Sequence, residues 1–256
     1  MSKRTESNLY TVLFAIGMVV VVGSLLAFTA SYFSPVISLN KKLEKQQNIL
    51  FAMGVNESTL SNNEEDVNEF VPTNQVTSEF DKYIVEQVVI QGDKVTEDKQ
   101  AYLIDLKKEN ELAKKDPAYQ RKLPLFIGEK DGEKFYIVPV RGIGLWDAIW
   151  GYIALNEDLE TIKGVYFDHK GETPGLGANI KEPFFMNYFK GEEIYNPSHE
   201  FAGVSVVKGN ADPKNLDKTD NEVDAIAGAT ITGNGVTAMI KKDLVRYIPY
   251  FNTLKK

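Results

Sequence analysis

The sequence predicts an α+β fold: a single N-terminal transmembrane helix followed by a mostly antiparallel-sheet domain with flanking helices. Three observations predict it. No charged residue occurs from Leu9 to Phe33, and the stretch VLFAIGMVVVVGSLLAF (Val12 to Phe28) is densely apolar. The β-rich runs KFYIVPV, AIWGYIALN and ETIKGVYFD follow one another with short turns between them, and EFAGVSVV comes later. After Gly235, VTAMIKKDLVRYIPYF has the spacing of a closing helix. Strand runs that succeed each other without intervening helices favour antiparallel pairing.

At about 1.5 Å rise per residue, ~20 residues cross a ~30 Å hydrocarbon core. A short tail, residues 1–8, therefore precedes a span at 9–33. A cleaved signal peptide would carry an apolar region of roughly 7–15 residues before a small-x-small site. Leu25-x-Ala27 offers such a site, but apolar sequence runs past it, so the expectation is a retained anchor. Lys3 and Arg4 lie before the span and Lys41, Lys42 and Lys45 after it, so the positive-inside rule assigns no orientation.

Pro35 is read as the exit from the span. Residues 34–55 then form a juxtamembrane helix or linker, with Leu39, Leu43, Ile49, Leu50 and Met53 at near-helical spacing. Docking on the core of the domain is the simpler role for that face. Residues 56–256 make the soluble domain. Within it, 56–75 is polar and acidic and reads as a surface loop. Tyr83–Ile90 reads as a strand, Glu97–Lys115 as a charged helix, and EPFFMNYFKG as a short helix.

The chain of 256 residues carries a net charge of −7. Residues 1–40 hold two bases and one acid, so the remainder holds −8. An acidic body argues against nucleic acid as a partner. The absence of cysteine excludes disulfides, thiolate nucleophiles and cysteine-bound clusters. His169 and His199 have no metal-like spacing, so no metal site is expected.

Three stretches carry candidate chemistry. The first is AGATITGNGV, Ala227 to Val236. Gly228 and Gly233 have the separation of a phosphate loop, but Asn234 stands where its lysine must be and Gly235 where its metal-binding hydroxyl must be. Nucleotide hydrolysis is therefore disfavoured. A turn of small residues feeding a helix remains. Gly228 and Ala229 allow close approach, Thr230 and Thr232 add hydroxyls, and a helix start near Gly233 attracts anions. A plain turn with a threonine N-cap accounts for the same residues.

The second is HKGETPGLGANI, His169 to Ile180. Pro174-Gly175 marks a turn, and Gly177 adds backbone freedom. The loop can lay Leu176 and its backbone on a flat ligand, or simply connect two elements. His169 and Glu172 invite an acid–base reading for which spacing gives no geometry. The third is RGIGLWDAIWGYIAL, Arg141 to Leu155. Trp146 follows two glycines, where its face can stack on a ring or serve as packing. Trp150 belongs to the core.

Taken together, GLWDAIWGYIAL, HKGETPGLG and DAIAGATITGNGV, in this order behind one N-terminal span, resemble the C subunit of the bacterial sodium-translocating NADH:quinone oxidoreductase. The G subunit of the Rnf electron-transport complex shares the last two motifs; the GLW segment and the long insert before it favour the first. A third reading is a membrane-anchored binding or assembly module without redox work.

The resemblance implies FMN esterified through its phosphate to Thr232, the last threonine of the A-G-A-T-I-T box. Many members begin that box with Ser where Ala227 stands here. It implies a flavin ring between Trp146 and Leu176, with Leu145, Thr173, Gly177, Gly228, Ala229, Thr230 and Ile231 lining the site and few charges near the indole. Lys208 and Asp224 lie near enough in sequence to contribute. It also implies a separate flavin transferase using FAD and Mg²⁺, neighbouring membrane subunits as electron partners, and a domain on the periplasmic face of the inner membrane. The residues themselves offer no convincing base for Thr232, whose hydroxyl is a poor nucleophile alone.

Overall fold

The computed structural model describes residues 8–56, 69–209, 212 and 215–255. The tail with Lys3 and Arg4 and most of the acidic loop at 56–75 lie outside the described residues. Contacts divide the chain into two units, Met1–Glu44 and Lys45–Lys256.

The first unit contains most of helix α1 (Asn8–Ala52). By length and composition α1 can cross a membrane. Its apolar side chains from Leu9 to Leu39 are exposed along the whole unit. Pro35 lies inside this helix, where the sequence predicts an exit. Proline removes one helical amide donor, which ends or kinks most helices in water, yet proline is tolerated in apolar spans. The expected separate juxtamembrane helix is thus the C-terminal part of α1.

In the second unit the last turns of α1 contribute Ile49, Leu50 and Ala52 to the core, followed by Met53. Helix α2 (Val76–Tyr83) leads into a six-stranded antiparallel sheet. Its strands are β1 (Ile84–Gln91), β2 (Lys94–Glu97), β3 (Leu123–Lys130), β4 (Glu133–Ile143), β5 (Ala148–Leu155) and β6 (Ile162–His169), in the order β2-β1-β3-β4-β5-β6. The β3–β4 hairpin closes through Asp131-Gly132, both at positive φ (56° and 81°), as a two-residue primed turn requires.

Glu97 ends the edge strand β2 and does not open a helix. The charged helix is shorter than expected, α3 (Leu106–Lys115), because Asp105 caps it by accepting from the amides of Lys107 and Lys108. Helix α4 (Pro183–Met186) matches the expected short helix. Of EFAGVSVV only β7 (Ser205–Val207) is a strand, paired in parallel with β8 (Glu222–Asp224) in a second, two-stranded sheet.

The closing segment forms α5 (Thr230–Leu244) and α6 (Ile248–Leu254). Both lie on the sheet. Tyr247, fully buried, donates from its hydroxyl to Pro124 O at 2.9 Å, and Tyr136 meets Phe251 edge-on. Buried Asp243 ties α5 to β4: its carboxylate accepts from the Arg141 amide at 2.8 Å and from Arg246 Nη1 at 2.6 Å. Two glycines bring the start of α5 onto the end of β4. A Cβ at Gly142 would lie 2.8 Å from Met239 Cβ, and one at Gly235 would collide with the Ile143 carbonyl. The second and third turns of α5 are thereby pressed against the end of β4, where the connection that carries Trp146 begins.

Candidate functional site

Thr230 begins α5, earlier than the expected start near Gly233, and Ala229 occupies the N-cap with no side-chain cap bond. The threonine N-cap is therefore absent. The reason is the turn before it: Gly228 has φ of +75°, and Ala229 N bonds to Ile226 O at 3.0 Å. The first helical amide bond is Gly233 N to Ala229 O at 2.9 Å. Among the described residues the amides of Thr230, Ile231 and Thr232 have no such partner, as expected for a first turn.

Thr232 sits in that turn with its side chain turned inward, 1% exposed. Its Oγ1 donates to Glu172 Oε2 at 2.6 Å. Glu172 Oε1 accepts from the Trp146 amide at 2.9 Å, and Trp146 Nε1 donates to Thr173 Oγ1 at 3.1 Å. Thr173 O in turn accepts from the amides of Leu176 and Ala178, each at 3.1 Å. Leu176 reaches back to the turn before α5: a Cβ on Gly228 would lie 2.8 Å from Leu176 Cδ2. The three sequence motifs thus close one circuit, with Glu172 at its centre.

Burial pushes the Glu172 carboxyl up. The Thr232 hydroxyl and the amides of Trp146, Leu145 and Asp147 pull it down by more, so it lies below the ordinary glutamate range and is ionised at neutral pH. By sequence alone, Glu172 pairs only with His169. Here the link to His169 is through the backbone, Glu172 N donating to His169 Nδ1 at 3.1 Å. The partner of the carboxylate is 60 residues away, which no local spacing reveals. The available signal is a single acid in a loop otherwise built of small and polar residues.

Outside this buried circuit lies an apolar rim. Trp146 is 67% exposed and Leu176 40%; Leu145 is exposed next to Trp146 in sequence, and Ile231 is exposed in the first turn of α5. Large apolar side chains left in water at one place mark a binding surface. The surroundings of Trp146 are more charged than expected: a cleft of about 510 Å³ beside it is lined in part by Arg141, Asp147, Lys242 and Arg246. Trp150 is half-buried on β5, opposite Arg141 and Asp168.

Residues 144–245 match a family model described as an FMN-binding domain. Over 253 residues, 92% of this chain and 90% of its relative, the sequence is 32% identical to the C subunit of the Na(+)-translocating NADH-quinone reductase of Pseudomonas aeruginosa. The chain belongs to this C-subunit family. A crystal structure of the C subunit from Parabacteroides distasonis superposes with a TM-score of 0.68 at 32% identity, covering 86% of this chain and 96% of that one. A second, from Shewanella oneidensis, gives 0.65 at 28% identity, covering 84% and 99%. In this C-subunit chain the matched region begins at Gly144 and ends just past α5, so it holds the whole circuit.

Lys208 and Asp224 stand apart from that circuit. Asp224 ends β8 opposite Val207, and Lys208 is exposed one residue beyond β7. Among the described residues neither bonds to Thr232, Glu172 or Trp146. Their strands nevertheless buttress α5, since Val206 N donates to Thr237 Oγ1 at 2.8 Å. Gly177 is integral: a Cβ there would lie 2.5 Å from both Glu172 Oε2 and Thr232 Oγ1.

The residues fit a flavin mononucleotide. An exposed indole and an exposed leucine offer apolar faces, the unpaired amides at the start of α5 suit a phosphate, and a threonine hydroxyl lies in the same turn.

Proposed function

We propose that this chain is a membrane-anchored flavoprotein subunit that relays electrons through FMN esterified to Thr232, within a sodium-pumping NADH:quinone oxidoreductase. The observation that carries the proposal is the circuit itself, which joins Thr232, Glu172, Trp146 and Leu176 in the region matching an FMN-binding domain. Bound FMN supplies reversible uptake and release of electrons.

The protein's own part is position and electrostatics. Trp146 is held by its amide to Glu172 and by Nε1 to Thr173, so its indole is fixed although exposed. Leu176 is anchored by its amide to Thr173 O. Trp146 and Leu176 would hold the ring. The first turn of α5 would stabilise the phosphodiester's negative charge through free amides and the helix dipole. Gly177 and Gly228 leave the room that this packing needs. An ester also makes the effective concentration of the carrier permanent, which suits a domain facing dilute surroundings.

The reading includes a periplasmic soluble domain, anchored by α1, and neighbouring membrane subunits as electron donor and acceptor. Attachment is the work of a separate flavin transferase. The test is intact mass after co-expression with such a transferase. The expected result is a gain equal to FMN less water, lost in Thr232→Ala and kept in Thr230→Ala. An unmodified wild-type chain, as an assembly module would give, overturns the proposal.

A further inference from the structure

A threonine hydroxyl needs a base to become a nucleophile, and the structure supplies one inside this chain. Among the described residues Glu172 is the side chain bonded to Thr232 Oγ1, and at 2.6 Å the bond is short. Its carboxylate is aimed. Oε1 is held by the Trp146 amide at 2.9 Å, which leaves Oε2 to the threonine. Each oxygen sits beneath a glycine: a Cβ at Gly144 would lie 2.5 Å from Oε1, and one at Gly177 the same distance from Oε2. A larger residue at either place would displace the carboxylate.

We propose that Glu172 is the base of the attachment reaction, a catalytic residue contributed by the acceptor protein; this rests on attachment at Thr232. Oε2 takes the Oγ1 proton as Oγ1 attacks the FMN-side phosphorus of a flavin dinucleotide. A P–Oγ1 bond forms, the pyrophosphate P–O bond breaks, and AMP leaves; nothing is oxidised or reduced. The product explains why the proton stays. The esterified oxygen has no hydrogen to donate, and the new phosphodiester is negative. An ionised Glu172 would face it as a like charge. Protonated Glu172 can instead donate a hydrogen bond to it. Attachment and neutralisation of a buried carboxylate are one event.

Among the described residues no other titratable side chain is hydrogen-bonded to Thr232 Oγ1. Asp147 and Lys170 pair with each other at 2.8 Å. His169 uses Nδ1 to accept the Glu172 amide. Arg141 lies on β4 and Lys181 is exposed. The charges of α5, Lys241, Lys242 and Asp243, begin about 14 Å along the helix axis from Thr232.

The experiment uses the full-length, flavin-free chain in detergent with the transferase, FAD and Mg²⁺, following attachment by intact mass from pH 5.5 to 9. Glu172→Gln should load at least ~100-fold more slowly than wild type near pH 7. The ratio of the two rates, which cancels the transferase's own titrations, should shrink as pH rises and hydroxide replaces the missing base. Glu172→Asp should recover part of the rate. Glu172→Gln loading at the wild-type rate overturns the inference and leaves attachment at Thr232 standing. A slowed rate with a pH-independent ratio assigns Glu172 a purely structural role and equally overturns it. Where Glu172→Gln fails a thermal-unfolding check, Glu172→Asp carries the same comparison. Loading of Thr232→Ala at the wild-type rate overturns the attachment reading itself.

Discussion

Thr232 and Glu172 are joined side chain to side chain at 2.6 Å across 60 residues of chain. The bond ties the first turn of α5 to the loop after β6, and Gly177 closes over it.

Gly177→Ala should therefore break it. The added Cβ would lie 2.5 Å from both oxygen atoms, closer than packing allows, so one side chain must move. The expected cost is about 1–3 kcal/mol of stability by denaturant unfolding. Gly171→Ala, with nothing within 4 Å of its Cβ, should stay within about 0.5 kcal/mol of wild type. Equal midpoints for the two variants would refute the contact.

Trp146 separates stability from cofactor contact. It is 67% exposed, so Trp146→Ala should change unfolding free energy by no more than about 0.5–1 kcal/mol, the larger figure covering its bond to Thr173. The flavin fluorescence of loaded protein should rise in Trp146→Ala and stay quenched in Trp146→Phe, which keeps an aromatic face. Unchanged fluorescence in the alanine variant would place the ring elsewhere.

Glu192 makes stability depend on pH. It is fully buried, and burial pushes its carboxyl up to about 7 against the opposing pull of Lys218, 3.2 Å away, and of the Asn215 amide. The folded state thus prefers the protonated acid. This contribution is fully present below the ordinary carboxylate pKa of about 4.5, and is lost as pH rises to about 7. The amount at stake is about 3 kcal/mol. Chemical denaturation at pH 5 and pH 8 should show the difference, and Glu192→Gln should flatten it.

Asp243 holds α5 in place on β4. Asp243→Ala strands the Arg141 amide and Arg246 together, an expected loss of roughly 2–4 kcal/mol. Asp243→Asn, which keeps an acceptor, should lose less. A neutral alanine variant would show that the glycine contacts alone fix the helix.

The parts of this fold that the sequence makes legible are those with local causes. Strands β1, β4, β5 and β6 of the main sheet follow from β-branched runs and, at Asp131-Gly132, from a turn dipeptide. Strand β3 escapes notice because LPLFIGEK opens on Leu-Pro and has no alternation; it is buried along most of its length. Helix α5 starts early because the turn at Gly228 closes just before Thr230, although its first turn, T-I-T-G, has weak helical propensity. Trp146, Leu176 and Thr232 can be picked out by motif. Glu172 cannot, because its importance comes from a partner in another segment.

The site also has no local fragment that contains it. Gly144 to Asp147, His169 to Gly177 and Ile226 to Thr232 come together only when the β4–β5 connection, the loop after β6 and the start of α5 are all docked. An unfolded chain displays the same threonine without its carboxylate. Maturation at this hydroxyl would then act as an inspection, passing completed domains and leaving misfolded copies unmarked.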